Sequence, residues 1–343
     1  MVNRPDVDPA FVAPEVPGPL QPVPRPTFSV IVAAYQAADL VGTAIRSVLE
    51  QSEPAQEIVV VDDGSTDDLA GALVPFGSAV RLIRIPHSGL AAARNASVAA
   101  ATSEFVVILD ADDRWEPQRL QRLRDLASVR PDLDLLTTDA WFVMDGRRGG
   151  TFYDVNSFPT VDQAIEILRG NFFFAHVAVR RSTWHRFGGM TADVAWAEDW
   201  DFWLRLLVGG CSAGCVLEPL ADYRIHAGSV SADRWRSLLA RVEVLDRAEA
   251  AGGLTDPQRQ VLDEARTRYR RRAALARAEK ALLDRSPDRR RACLAVLRSE
   301  GVPARQRVLA AGAWVLPGLA GARLRRDAGT AGRTRSDRAL PAG

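Results

Sequence analysis

Four short apolar runs in the first third of the chain set what it can fold into. Phe28–Ala34 (FSVIVAA), 58–61 (IVVV) and 105–109 (FVVIL) are rich in β-branched residues and fit buried strands, while 80–85 (VRLIRI) alternates and fits a strand near an edge. Between the first two, Leu40, Val41, Ala44, Ile45, Val48 and Leu49 recur at helical spacing. The alanine-rich stretch 89–101 predicts a second helix before the fourth run. Strands that are apolar throughout and alternate with helices predict a parallel sheet covered on both faces. Such sheets bind ligands at the carboxyl ends of their strands. Asp62-Asp63 follows the second run directly, and Asp110-Ala111-Asp112-Asp113 follows the fourth. Both acidic clusters are therefore expected on one crevice.

Farther along, a helix is expected from Pro117 to about residue 128, then strands over 133–138, 172–180 and 216–225. A short helix over 181–187 stops at Gly188-Gly189. Glu198-Asp199 opens another, with Trp200, Trp203, Leu204, Leu207 and Val208 on one face. Trp196, Trp200 and Trp203 lie close to that acidic pair, but at helical spacing they read first as core. After 231 the strand signals end, and 232–325 reads as arginine-rich helices. Residues 1–27 hold eight prolines and no periodic apolar pattern, which predicts a disordered leader, and 326–343 reads as a disordered tail. The expected division is thus a folded α/β domain over 28–231 and a helical region over 232–325.

Charge divides at the same place. The chain of 343 residues carries a formal net charge of +1. Residues 1–231 hold 19 basic and 30 acidic side chains, a net of −11; residues 232–343 hold 25 and 13, a net of +12. An acidic front suits a cation, and a basic back suits a phosphate-rich surface. The acidic front argues against a uniformly basic nucleic-acid binder, and no nucleic-acid partner is expected. Three cysteines, Cys211, Cys215 and Cys293, make no disulfide framework. No apolar leader and no window of about 18 apolar residues occurs, so a cytoplasmic protein is expected. The segment 305–326 places an apolar stretch with Trp314 between arginines. It predicts contact with an anionic membrane at the inner face of the cell membrane, packing on the α/β domain being the alternative.

The motifs SVIVAAYQ (29–36), VVVDDGSTD (59–67), GLAAARN (89–95), ILDADD (108–113) and AEDWDFWLRL (197–206) stand in this order. Together they resemble the inverting glycosyltransferases of family 2, over about 28–231. The resemblance implies an α/β fold of GT-A type: a mostly parallel sheet flanked by helices, here with an α-helical C-terminal extension. It implies transfer of a sugar from a nucleotide-diphosphate sugar, a UDP-sugar being favoured, to a hydroxyl of a saccharide or lipid-linked acceptor. Such chemistry belongs to cell-surface polysaccharide or glycolipid synthesis. A departing diphosphate accumulates charge on its oxygens, and a divalent cation offsets it. Hard carboxylate ligands suit Mg²⁺ or Mn²⁺.

By the same resemblance Asp112 is the metal ligand, with Asp110 beside it toward the ribose or a metal-bound water, and His226 of YRIH completes the shell or meets the diphosphate. Ala34, Tyr35, Asp62, Asp63, Arg94 and Asp110 surround the nucleotide. Asp199 is the base that inversion requires, and Glu198 orients it or touches the acceptor. Each carboxylate also has a plainer reading: helix capping for Asp67, Asp112 and Asp113, or a helix N-terminus for Glu198 and Asp199. Two departures stand out. Ala227 replaces the proline usual after YRIH, and Met190 stands where an aromatic is commoner. The alternatives are a sugar-nucleotide binder without turnover and a nucleotidyltransferase. The latter requires a glycine-rich signature loop with a basic residue, and SVIVAAYQ has none.

Overall fold

The computed structural model describes residues 25–194, 196–225, 234–322 and 324. Residues 1–24 of the leader expected over 1–27, His226 with Ala227, and the tail expected over 326–343 lie outside the described residues. The first strand, β1 (Phe28–Ala34), is followed by α1 (Ala38–Leu49), β2 (Glu57–Asp62), α2 (Leu69–Leu73), β3 (Arg81–Arg84), α3 (Leu90–Ala100) and β4 (Phe105–Ile108). Then come β5 (Arg114–Trp115), α4 (Arg119–Val129), β6 (Leu135–Met144), β7 (Arg147–Thr151), α5 (Phe152–Val155) and α6 (Gln163–Arg169). The sheet closes with β8 (Ala178–Arg180), α7 (Arg181–Arg186), α8 (Glu198–Val208) and β9 (Ala213–Ile225). Four helices follow: α9 (Arg234–Ala251), α10 (Asp256–Leu283), α11 (Arg289–Arg298) and α12 (Ala304–Val315).

One sheet runs β3-β2-β1-β4-β8-β6-β9-β5, with β7 paired to β6. The first four strands are parallel, as the strand–helix alternation requires. Beyond β4 the directions mix: β8 is antiparallel to β4 and to β6, and β9 is parallel to β6 but antiparallel to β5. Side chains of β1 alternate between two cores, as a two-residue period dictates. Val30 and Val32 pack with Val41, Ile45 and Leu120 on one face; Ile31 packs with Val106, Trp200 and Trp203 on the other. Both faces are dry, which is why the runs are apolar throughout.

Two elements differ from expectation. The strand expected to end at 138 continues to Met144: the polar Thr137-Thr138-Asp139 is buried like the apolar Ala140, Phe142 and Val143 that follow it. It turns through Asp145-Gly146, both with positive φ (49° and 74°), into β7. Within 172–180 only Ala178–Arg180 pairs as a strand; Phe172, Phe173 and Phe174 turn inward to fill the two cores instead. For α9 and the first half of α10, packing on the α/β domain was one of the readings the sequence left open. Leu238, Val242, Leu245, Leu262 and Tyr269 share one core with Trp200 and Trp203 of α8. A separate small core joins α11 and α12 to the end of α10 through Cys293, Val296 and Ala310.

Candidate active site

The carboxyl ends of β1 and β4, the N-termini of α3 and α8, the end of β9 and one turn of α9 converge on a cavity of about 580 Å³. Tyr35, Arg94, Asp110, Asp112, Glu198 and Asp199 are on its wall. Each arrives by a different route. Asp110 and Asp112 leave β4 where the strand ends. Arg94 sits in the second turn of α3, whose entry at Gly89 takes a φ of 90° that suits glycine. Glu198 and Asp199 are the first two residues of α8.

Arg94 ties these carboxylates together. It is 5% exposed. Its Nη2 donates to Asp110 Oδ1 at 2.8 Å, and its Nη1 lies 3.6 Å from Glu198 Oε1. Burial alone would raise the Asp110 pKa, but Arg94 holds it below the usual carboxylate value. Burial raises the pKa of Glu198, and the neighbouring Asp199 raises it further. Burial also raises Asp199, against the opposing pull of Arg94, the Trp200 amide and Arg241. One carboxylate is thus kept ionised beside two that hold protons more readily, as in sites where acid and base roles divide.

Asp199 is held by two donors: the Trp200 amide to Oδ1 at 2.7 Å and Asn171 Nδ2 to Oδ2 at 3.1 Å. Asn171 in turn accepts the Phe173 amide at 3.0 Å, which fixes the orientation of its own amide. Neither Asn171 nor Arg241 was singled out by the sequence reading. Asn171 follows a glycine in a loop without a motif, and Arg241 lies beyond the expected domain boundary on α9.

Behind the acidic loop stands His176, fully buried. Its Nδ1 accepts the Trp115 indole N–H at 3.0 Å, and its Nε2 lies 3.4 Å from the Asp110 amide nitrogen and 3.0 Å from Asp113 Oδ2. Burial lowers the pKa of this imidazole to about 3, so the ring is neutral. Burial and the neighbouring Asp110 and Asp112 raise that of Asp113. Asp113 Oδ1 accepts the Arg224 amide at 2.7 Å, fastening the acidic loop to β9. The ligand atoms of Asp110, Asp113 and His176 lie within 4.8 Å of one another and could hold a metal ion. The oxygen-rich set suits a hard cation. Asp110 and Asp112 present theirs on the cavity wall, whereas Asp113 and His176 are shut behind them. The histidine signal was hidden in a phenylalanine-rich run that reads as strand.

Three of the residues expected around the nucleotide, Ala34, Asp62 and Asp63, do not line this cavity with their side chains. Ala34 points away from the cavity into the α1 core, since strand alternation gives the wall to Ala33 and Tyr35. Its carbonyl accepts the Asp63 amide at 2.9 Å. Asp62 and Asp63 are 2% and 3% exposed and do not line the cavity. Asp62 Oδ1 takes the Ser65 amide at 2.7 Å, closing the turn after β2. Asp63 takes the amides of Ser88 and Gly89 at 2.7 and 2.9 Å, so it secures the entry to α3. His87, unremarked in the sequence, stacks on Tyr35 with centroids 4.2 Å apart and meets Asp63 at 3.0 Å. Asp67 accepts the Ala38 amide at 2.8 Å, near the start of α1 rather than of the helix after it. Met190 is buried against Arg94, its Sδ 4.0 Å from Nη1, and Asn95 grips its backbone from both sides. Trp200 and Trp203 are core, as their spacing indicated, while Trp196 reaches the cavity.

Comparison with known proteins agrees with this arrangement. Residues 29–192 match the family model described as Glycosyl transferase family 2. The succinoglycan biosynthesis protein ExoO of Rhizobium meliloti is 30% identical over 263 residues, covering 69% of this chain and 72% of ExoO. The UDP-Glc:alpha-D-GlcNAc-diphosphoundecaprenol beta-1,3-glucosyltransferase WfaP of Escherichia coli is 27% identical over 221 residues, covering 63% and 84%. In fold, the chain is similar to Staphylococcus aureus TarS 1-349 in complex with UDP-GlcNAc. That match has a TM-score of 0.59 at 16% identity and covers 90% of this chain and 92% of TarS 1-349.

Proposed function

We propose that this chain, which belongs to glycosyl transferase family 2, is a metal-dependent inverting transferase in which Asp199 is the catalytic base. The observation that carries the reading is Asp199 itself. It is a carboxylate on the cavity wall, oriented by Asn171 and made more basic by burial, one residue from a Glu198 that faces the Arg94–Asp110 pair. In the reaction Asp199 takes the proton of an acceptor hydroxyl. The hydroxyl oxygen bonds to the anomeric carbon as the bond from that carbon to the diphosphate oxygen breaks. The nucleoside diphosphate leaves with the electron pair. Asp112 and Asp110 would hold Mg²⁺ or Mn²⁺, which when bound offsets the charge on the departing diphosphate. Arg94 keeps Asp110 ionised and Glu198 in place. We assign the donor as a UDP-sugar, in line with the UDP-GlcNAc complex of the TarS neighbour. Its base lies beside Tyr35 on the cavity wall.

The acceptor is a saccharide or lipid-linked saccharide of cell-surface polysaccharide synthesis, in line with ExoO and WfaP. Among the described residues no helix is long and apolar enough to cross a membrane. Val308, Leu309, Leu316 and Leu319 are each more than half exposed on α12 and the residues that follow it, in a segment bounded by arginines in sequence. This surface suits peripheral attachment to an anionic bilayer at the cytoplasmic face. Titration of UDP with and without Mn²⁺ tests the donor half. Wild type should bind UDP at least about tenfold tighter with the ion, and Asp112→Asn should lose most of that gain. Metal-independent binding equal in both forms contradicts it.

A further inference from the structure

A second cleft, of about 640 Å³, opens beside the first between the loop after α5 and the helices α9 and α10. Arg169, Arg241, Arg268 and Arg272 line it, with Tyr269 and Asn171. Asn171 and Arg241 are also on the wall of the active-site cavity, so the two spaces adjoin at the side chain that holds Asp199. Tyr269 is the common support. Its buried ring packs edge to face against Trp200 of α8, with centroids 5.6 Å apart. The guanidinium carbons of Arg241 and Arg268 lie 5.6 and 5.0 Å from the same ring centroid.

Several other arginines on these two helices have carboxylate partners. Arg247 pairs with Asp193 and Glu243; Arg266 pairs with Asp246, Glu249 and Asp263. Among the described residues neither Arg241 nor Arg268 has a carboxylate within ion-pair distance, and Arg268 donates only to the Arg169 carbonyl. The two carboxylates of the cleft are already engaged: Glu166 with Arg169 at 3.1 Å, and Asp154 with the Thr151 amide at 2.7 Å. Burial, and then the charge of Arg241, hold the Arg272 guanidinium below its usual pKa. Arg241 and Arg268 thus stack on one rigid ring next to the base, with no described carboxylate within ion-pair distance of either.

Resting on the transferase reading, we infer that this cleft binds a phosphoryl group of the acceptor through Arg241 and Arg268, placing the hydroxyl to be glycosylated at Asn171 and Asp199. Planar guanidinium forks suit phosphate oxygens, and a phosphate monoester or a phosphodiester presents them equally. The acceptor is therefore anionic, with its phosphate close to the reacting sugar.

Calorimetric titration of the full chain, in Mg²⁺ buffer with saturating UDP, tests this with three probes: farnesyl phosphate, inorganic phosphate and farnesol. Both phosphates should bind wild type and farnesol should not. Arg268→Gln should weaken phosphate binding about tenfold or more, and Arg268→Lys should weaken it less. Arg247→Gln, on an exposed ion pair, should match wild type. Tighter binding of farnesyl phosphate than of phosphate assigns the group to a lipid-linked acceptor; equal binding assigns it to any phosphorylated saccharide. Both support the inference. Wild type that binds UDP but no phosphate, or an Arg268→Gln form that binds phosphate as wild type does, overturns it. Wild type that fails to bind UDP overturns the transferase reading and this inference with it. Thermal unfolding of each variant separates lost binding from lost folding.

Discussion

At the residue scale, reactivity is divided by environment among similar carboxylates. Arg94 keeps Asp110 ionised, whereas burial makes Asp199 a stronger base. The sign of the pH dependence follows. The base acts only when deprotonated, so kcat/KM should fall on acidification through its raised pKa, with a midpoint above the ordinary value near 4. Arg241 pulls that pKa down, so Arg241→Gln should move the acid limb to still higher pH. A pH–rate series on both forms checks this; an acid limb shifted downward in the variant contradicts it. Asp110 was legible because an acidic cluster directly after an apolar run must reach a sheet's ligand edge, whereas Asp199 was marked only by the resemblance of AEDWDFWLRL to a family motif. Their partners were not. Asn171 and His176 lie in loops without periodicity, and only folding brings them to Asp199 and Asp113. Asp62 and Asp63 show the converse. A motif located them, but backbone amides of the following turn and of 88–89 already satisfy their oxygens.

At the element scale, β1, β2 and β4 were readable because two dry faces leave an unbroken apolar signature, and the alternating β3 was readable as the edge strand it is. The second half of the sheet was not, for β6 is interrupted by three polar residues and the phenylalanines before β8 mimic a strand. The Asp145-Gly146 turn carried a hairpin signal that the polar stretch concealed. The turn after β2 is built on Gly64, whose φ is 74° and whose missing Cβ would lie 2.7 Å from the His87 backbone nitrogen. Gly64→Ala should therefore destabilise the fold by about 1–3 kcal/mol and push the 87–89 segment off Asp63. Urea unfolding measures the first effect, and an unchanged midpoint contradicts it.

At the scale of the whole molecule, the charge split separates two jobs without separating two bodies. The acidic half builds the site. The basic half contributes Arg241 to it and packs α9 and α10 into the same core. Amphipathic spacing marked these helices but could not say what their apolar faces would meet. Only α11 and α12 form a distinct small core, and there the outer apolar side chains remain exposed. Vesicles containing phosphatidylglycerol should sediment the protein, and Leu316→Glu with Leu319→Glu should reduce the bound fraction several-fold. Equal sedimentation of both forms contradicts the membrane role.

The central claim is that Asp199 removes the acceptor proton while Arg94 and the acidic loop manage the donor. Transfer of radiolabelled sugar from UDP-sugars to lipid-linked acceptors in bacterial membrane extracts tests it most directly, measured beside UDP affinity for wild type and Asp199→Asn. The account predicts that the variant loses transfer by about a thousandfold or more while its affinity for UDP stays within about twofold. Transfer by Asp199→Asn at the wild-type rate would contradict it.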